Sequence, residues 1–380
     1  MTGSPNPSPS ADSSLVQREA VLLVVLAAMA AMAFVVTREV ARAERAANVA
    51  DAAYWFAEGE RQLHDGHAAQ AVTSLRRATG LDRGNRPYAL TLARALSAQG
   101  QAADARRVLL VLRDQVPDDP DVNMTLARLA AARRDLAEAH RFYQNALYAI
   151  WPPDREDERQ RLRVELVRLL LAHGERGRAL SEVVALGTNL PDTPGARVEA
   201  GELFLAAGDP LRALDQFARA LRQDPAHAAA LAGAGEASFE SRDYAGARRY
   251  FSRAGSLPDR LAELNELARL VLAHDPLEPR LTLAARQQRL GVAVSRAAAR
   301  LDACLAQRED AAPAIDPLRA DLAALSPDMG LRALGDKPEL VGHGVDLVYR
   351  AQQAAAEVCG APEGLDRALL LIGDRHRDET

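Results

Sequence analysis

The chain of 380 residues holds only two cysteines, Cys304 and Cys359. Two thiols cannot build a four-cysteine metal site, and no CxxC or CxxCH run occurs, so structural zinc and attached c-type haem are excluded. Aromatic residues make up 4%, whereas alanine, the best helix former, supplies about a fifth of the chain. Such a composition offers little to a pleated sheet, and an all-α protein is expected. A positive excess is also missing: 47 basic against 52 acidic residues leave a net charge of -5, so no overall field exists to hold a phosphate backbone, and nucleic acid is not an expected partner. No P-loop, GxGxxG, GxSxG, HExxH or EF-hand loop is present. His64-Asp65-Gly66-His67 is the only close histidine pair, and without a fixed third ligand it reads as an exposed turn. His343 has no triad partner near it. The expectation is a protein with no cofactor, no metal and no enzymatic activity.

What is present begins with an address. Residues 1–19 open on a Pro/Ser alternation that supplies no apolar face and predicts a disordered tail. From Ala20 to Val36 every residue is apolar, a run of roughly 26 Å as a helix, short for a span but longer than an ordinary signal-peptide core. We read 20–37 as a single transmembrane helix, 38–51 as a linker helix, and the protein as single-pass in a cell membrane. Ala41-Arg42-Ala43 keeps a cleaved signal peptide open. The side of the body is open as well: Arg38, Arg42 and Arg45 after the run, against Arg18 before it, lean weakly toward a cytoplasmic body.

The body repeats. Ala71, Ala105, Ala139, Ala179, Ala213 and Ala247 recur at intervals of 34 with one of 40, which divides residues 52–261 into units 52–85, 86–119, 120–153, 160–193, 194–227 and 228–261, with a charged insertion at 154–159. Five residues before each alanine stand Gly66, Gly100, Arg134, Gly174, Gly208 and Arg242; twelve before it, at the eighth position of each unit, stand Gly59, Ala93, Ala127, Val167, Gly201 and Gly235. At the twenty-fourth position come Leu75, Leu109, Tyr143, Val183, Phe217 and Phe251. This spacing is that of a helical hairpin: glycine permits a tight turn at positive φ, small residues let the paired helices approach, and a larger apolar residue fills the gap to the next unit. With these residues in register the chain resembles the tetratricopeptide repeat (TPR), and with its apolar run, N-terminally anchored bacterial members of that class. Val167 at a small position, after the insertion, predicts a local break between units three and four.

The resemblance implies a concave groove lined by the first helix of each unit. At the ninth positions it would present Glu60, Arg94, Arg128, Arg168, Glu202 and Glu236, and at the fifth positions Phe56, Leu90, Met124, Val164, Val198 and Ala232. That groove would be an apolar floor with a basic middle and acidic ends, fit for a protein or peptide segment carrying a carboxylate. The competing reading pairs Arg94, Arg128 and Arg168 with Glu165 and Glu199 in the same groove. The pair of residues that marks receptors of chaperone tails is replaced by Phe56 and Glu60.

After residue 261 the period is lost. Leu261–Ala273 should cap the array, Leu281–Gln307 and Pro338–Cys359 read as long helices separated by a proline-containing segment around 312–327, and Leu365–Ile372 as a short one, giving a helical bundle over 262–380. Cys304 and Cys359 lie near the C-terminal ends of the two long helices, and either two buried thiols or a disulfide is open. Functionally, a membrane-tethered interaction scaffold, in assembly of an envelope complex, is expected. The alternative is an enzyme or small-ligand sensor with its site in 262–380, which a buried polar cluster there would favour; the sequence pattern shows none.

Overall fold

The computed structural model describes residues 12–187, 190–325 and 329–377. All regular elements among them are helices. Two compact units divide the chain, one through Leu162 and the other from Arg163.

In the first unit α1 (Asp12–His64) and α2 (Ala68–Leu81) make one hairpin, α3 (Arg86–Ala98) and α4 (Ala102–Gln115) a second, α5 (Pro120–Ala132) and α6 (Leu136–Leu147) a third. Each helix packs on the next, and the first helices of successive hairpins also touch, α1 on α3 and α3 on α5. Helix α7 (Glu156–Ala172) carries the boundary. In the second unit follow α8 (Arg176–Gly187), the hairpins α9 (Pro194–Ala206) with α10 (Pro210–Gln223) and α11 (Ala228–Glu240) with α12 (Tyr244–Ala254), then α13 (Asp259–His274), α14 (Leu283–Gln307), α15 (Ala312–Leu325), α16 (Leu331–Asp336), α17 (Glu339–Cys359) and α18 (Gly364–Arg377).

The repeat positions explain the hairpins. All six reference alanines are 0% exposed. A Cβ built on Gly59 would stand 2.6 Å from Leu75, and one on Gly201 would stand 2.6 Å from Phe217, so the missing side chain at the eighth position is the space that the twenty-fourth fills. In the fourth unit Val167 and Val183 are both fully buried. The turns lie at positive φ in every hairpin: Gly66, Gly100, Gly174 and Gly208 at 75° to 86°, and Arg134 and Arg242 at 60° and 63°. These two arginines are the only non-glycine residues with positive φ among the described residues. An L-residue there costs about 1–2 kcal/mol. Arg134→Gly should therefore raise stability by about 1 kcal/mol, and Gly100→Ala should lower it by a similar amount; thermal midpoints of opposite sign would be the readout.

The start of the first helix differs from expectation. The helix begins at Asp12, inside the segment read as a disordered tail; residues 1–11 of that tail lie outside the described residues. No proline or glycine occurs between Asp12 and Gly59, so nothing breaks the helix, and 38–51, read as a linker helix, is the middle of α1. The charged insertion opens a helix. A 3-10 turn at Pro153–Arg155 leads into α7, whose first turn is Glu156-Asp157-Glu158, where three carboxylates meet the positive end of the helix dipole. Finally, the proline segment around 312–327 is helix α15 through Leu325, with Pro317 inside it; residues 326–328 lie outside the described residues. Ile315, Leu318, Leu322 and Leu325 bury one face of that helix, and this burial outweighs the backbone bond that proline removes.

The C-terminal helices do not form a separate core. Phe239, Tyr244 and Phe251 of the last hairpin belong to one cluster with Leu267 of α13, Leu301 of α14, Ile315 of α15, Val348 of α17 and Leu369 of α18.

Candidate functional site

On the first helices the fifth positions are covered. Leu90 is 6% exposed, Met124 2%, Val164 8% and Val198 7%, and Phe56 is half-buried, stacked on Tyr88 at 4.5 Å. Ala232 is half-buried as well; α3 touches α5 and α9 touches α11, while long charged side chains at the ninth positions reach past the contact to water. Glu60, Arg94, Arg128, Arg168 and Glu202 are exposed; Glu236 is half-buried.

Two basic residues of that row, Arg94 and Arg168, meet carboxylates of the following repeat. Arg94 stands 3.9 Å from Asp121. Asp121, at the start of α5, also takes Arg155 at 2.7 Å and Arg86 at 3.2 Å, and Arg86 pairs with Asp119 besides. Burial pushes the Asp121 carboxyl up, but hydrogen bonds from Arg155 and Arg86 outweigh it and hold the group below the usual carboxylate range. Arg155 pairs with Glu158 at 2.7 Å and lies 5.0 Å over the ring of Trp151, which fixes the 3-10 turn to α5. In the second unit Arg168 meets Glu199 at 2.9 Å. Arg128 is not free either. The paired reading describes Arg94 and Arg168, with Asp121 in the role the sequence had not assigned.

The acidic residues of the second unit are less balanced. Glu202 on α9 is pushed up by burial and then by Glu199, against the pull of Arg168. Glu240 on α11 is pushed up by burial and then by Glu236, against Arg260 and Arg176; Glu236 itself pairs with Arg260 at 2.6 Å. Glu199 and Glu240 occupy the sixth and thirteenth positions of their units, which the resemblance also assigns to the groove.

Residues 262–380 hold polar clusters that the pattern had hidden. Asp275, 1% exposed, receives His376 Nε2 at 2.9 and 3.1 Å and lies 3.6 Å from Arg375. Asp366, 6% exposed, takes both arms of Arg296 at 2.9 and 2.8 Å and the Nε2 of Gln352 at 3.0 Å. The ends of α14 and α17 meet, and Cys304 and Cys359 form a disulfide with a Cα separation of 5.7 Å. His64 and His343 are exposed, and among the described residues no group of three or more His, Cys, Asp or Glu is placed to hold a metal ion.

Two stretches, 62–129 and 198–260, match models of the tetratricopeptide repeat. No curated protein matches the chain. Among solved structures, YrrB, a TPR protein with an unusual peptide-binding site, is 19% identical, covering 47% of this chain and 90% of that one at a TM-score of 0.38. PilW, a widely conserved type IV pilus biogenesis factor, is 16% identical over 53% of this chain and 91% of that one, with a TM-score of 0.38. A TPR protein from Parabacteroides merdae ATCC 43184 is 12% identical over 85% and 99%, with a TM-score of 0.39. At identities and TM-scores this low, none of these likenesses extends to a shared role. The chain carries tetratricopeptide repeats.

Proposed function

We propose that this chain is a membrane-tethered scaffold, spanning the bilayer through residues 20–37 and binding a protein segment on the first helices of its repeats over 52–261, with 262–380 as a C-terminal helical region and a role in assembly of an envelope complex. TPR proteins are in general non-enzymatic interaction modules that bind protein or peptide partners. The observation that carries the tether is the state of α1 at Ala20–Val36: Val21, Leu23, Val24 and Phe34 are 64% to 68% exposed, left uncovered among the described residues. An apolar helix face of this kind needs lipid or another protein.

Since Arg94 and Arg168 already have carboxylates, the partner chemistry shifts from the acidic segment first expected to a basic one lying along Glu202 and Glu240. A cation arriving there would lower both carboxyl groups and release protons, so affinity should rise with pH through the carboxylate range. The disulfide supports a body on the oxidising side of the membrane, because such bridges persist there.

Crosslinking and capture of the full chain from its membranes tests the reading. A partner should be recovered from wild type and reduced several-fold from Glu202→Gln with Glu240→Gln, and removal of residues 1–37 should release a helical body into the soluble fraction. Undiminished capture by the double variant would refute the acidic contact, and membrane association that survives both truncation and a carbonate wash would refute the tether.

A further inference from the structure

Helix α1 carries an apolar seam beyond its lipid-length run. Val36, Val40, Ala43, Ala47, Ala50 and Tyr54 recur at alternating steps of four and three, the a and d positions of a heptad. All eight polar residues from Thr37 to Asp51 fall outside that seam, so it does not arise from general apolarity. Every seam residue is exposed, Val36 to 56%, Val40 to 53% and Tyr54 to 62%. Between Thr37 and Asp51 nearly every residue is exposed, and a bare helical stretch of that length is marginal in water.

The fold leaves the seam free to meet another helix. Where α1 enters the first hairpin its buried residues are Ala52 and Gly59, both f positions of the same heptad and so opposite the seam. Trp55 and Phe56, at b and c, pack on the body as well. The repeats therefore hang from the outer side of α1, and two copies can close along their seams with their hairpins pointing apart.

A heptad seam calls for a helix of the same period, and a second copy supplies one. With both chains entering one bilayer from the same side, two α1 helices are parallel and in register, and each seam residue meets its own counterpart. The three central alanines let the backbones approach, between Val40 and Tyr54 at the ends. The flanks oppose this mildly. Glu39 at g, paired with Arg42 of its own helix at 2.5 Å, would face Glu44 at e of the second copy, a like-charge contact that keeps the pair reversible.

We propose that α1 pairs with α1 of a second copy as a parallel two-stranded coiled coil over residues 36–54, so that the scaffold is a dimer presenting two repeat arrays. The common orientation of the copies rests on the tether proposed above; the seam does not.

Cysteine crosslinking of the full chain in its membranes tests it. The native Cys304–Cys359 bridge lies within one chain, so a dimer band on a non-reducing gel reports the introduced thiol. Ala43→Cys and Ala47→Cys, on the seam, should give covalent dimer several-fold above Arg45→Cys and Asn48→Cys, on the outer side. Adding Ala47→Glu should remove most of the Ala43→Cys dimer, because it sets two like charges inside the seam, and adding Glu44→Lys should increase it. Both added changes precede the first hairpin, and circular dichroism identical to wild type would show that the repeats stay folded. Equal crosslinking at all four positions, as chance collision in the bilayer would give, overturns the proposal. So does the absence of dimer at both seam positions, or a dimer that ignores both added changes. A carbonate wash of the same membranes reads the tether separately: seam-selective dimer in a chain that washes off would uphold the pairing and reject the tether.

Discussion

Phe217→Ala should cost about 3–5 kcal/mol and should unravel the hairpins of α9 to α11 before anything else in the second unit. The ring is 0% exposed and is gripped by glycines on both sides: Gly201 of its own hairpin and Gly233 of the next are positions where a built Cβ would collide with it. Those glycines have no side chains to swing into the vacated space, so the void stays open, and the cost should lie at the upper end of the range. Hydrogen exchange resolves the effect where a single unfolding midpoint would blur it. Amides of α9, α10 and α11 should lose protection by several orders of magnitude while those of α14 and α17 lose far less. Uniform loss across the unit, or a cost below about 1 kcal/mol, would mean that the glycine seats do not hold the ring as described.

Asp366→Ala should destabilise the C-terminal helices by about 3 kcal/mol. The carboxylate joins α14, through Arg296, to α17, through Gln352, and to its own helix α18. Arg296 is half in water and can resolvate, which moderates the loss. Gln352 is 0% exposed and its Oε1 already lacks a partner, so removing Asp366 strands the amide altogether. Asp366→Asn should cost less, because one acceptor oxygen remains for Gln352 or for Arg296. Denaturant unfolding followed by tryptophan-independent circular dichroism, with the disulfide kept oxidised, measures both variants. Equal costs for Ala and Asn would point to charge alone, and no cost for either would remove the cluster from the stability of the unit.

The hairpins were readable from sequence because each depends on a residue with a unique physical property. Positive φ requires glycine, and a close crossing requires a missing side chain, so Gly66, Gly100, Gly174 and Gly208 marked the turns, and the register they set carried Arg134 and Arg242 into turn positions that their side chains alone would never suggest. The charge balance of the candidate groove was harder to see. Arg86 with Asp119, Arg155 with Asp121 and Arg168 with Glu199 are separated by 33, 34 and 31 residues, close to one repeat, so opposite charges one period apart were the signal available. Position rows within single units conceal it. Beyond residue 261 no period exists to fix register. The burial of Asp275, Asp366, His376 and Gln352 could not be read there, since it is decided by which distant helices meet.

Helix α1 joins the apolar segment to the first hairpin without interruption, and among its described side chains the first to be fully buried is Ala52. Between Thr37 and Ala52 it stands clear of the body for about 15 residues, roughly 22 Å of rise. A glycine-serine tether of that length would let the repeats roam and meet partners at many heights; a continuous helix acts as a ruler. If residues 20–37 lie in a bilayer, the repeats are carried at a set altitude above it, and only partners presenting their binding segment at that altitude gain from the shared membrane. Two helix-breaking residues placed between Arg38 and Asn48 would exchange the ruler for a leash while leaving every side chain of the hairpins in place.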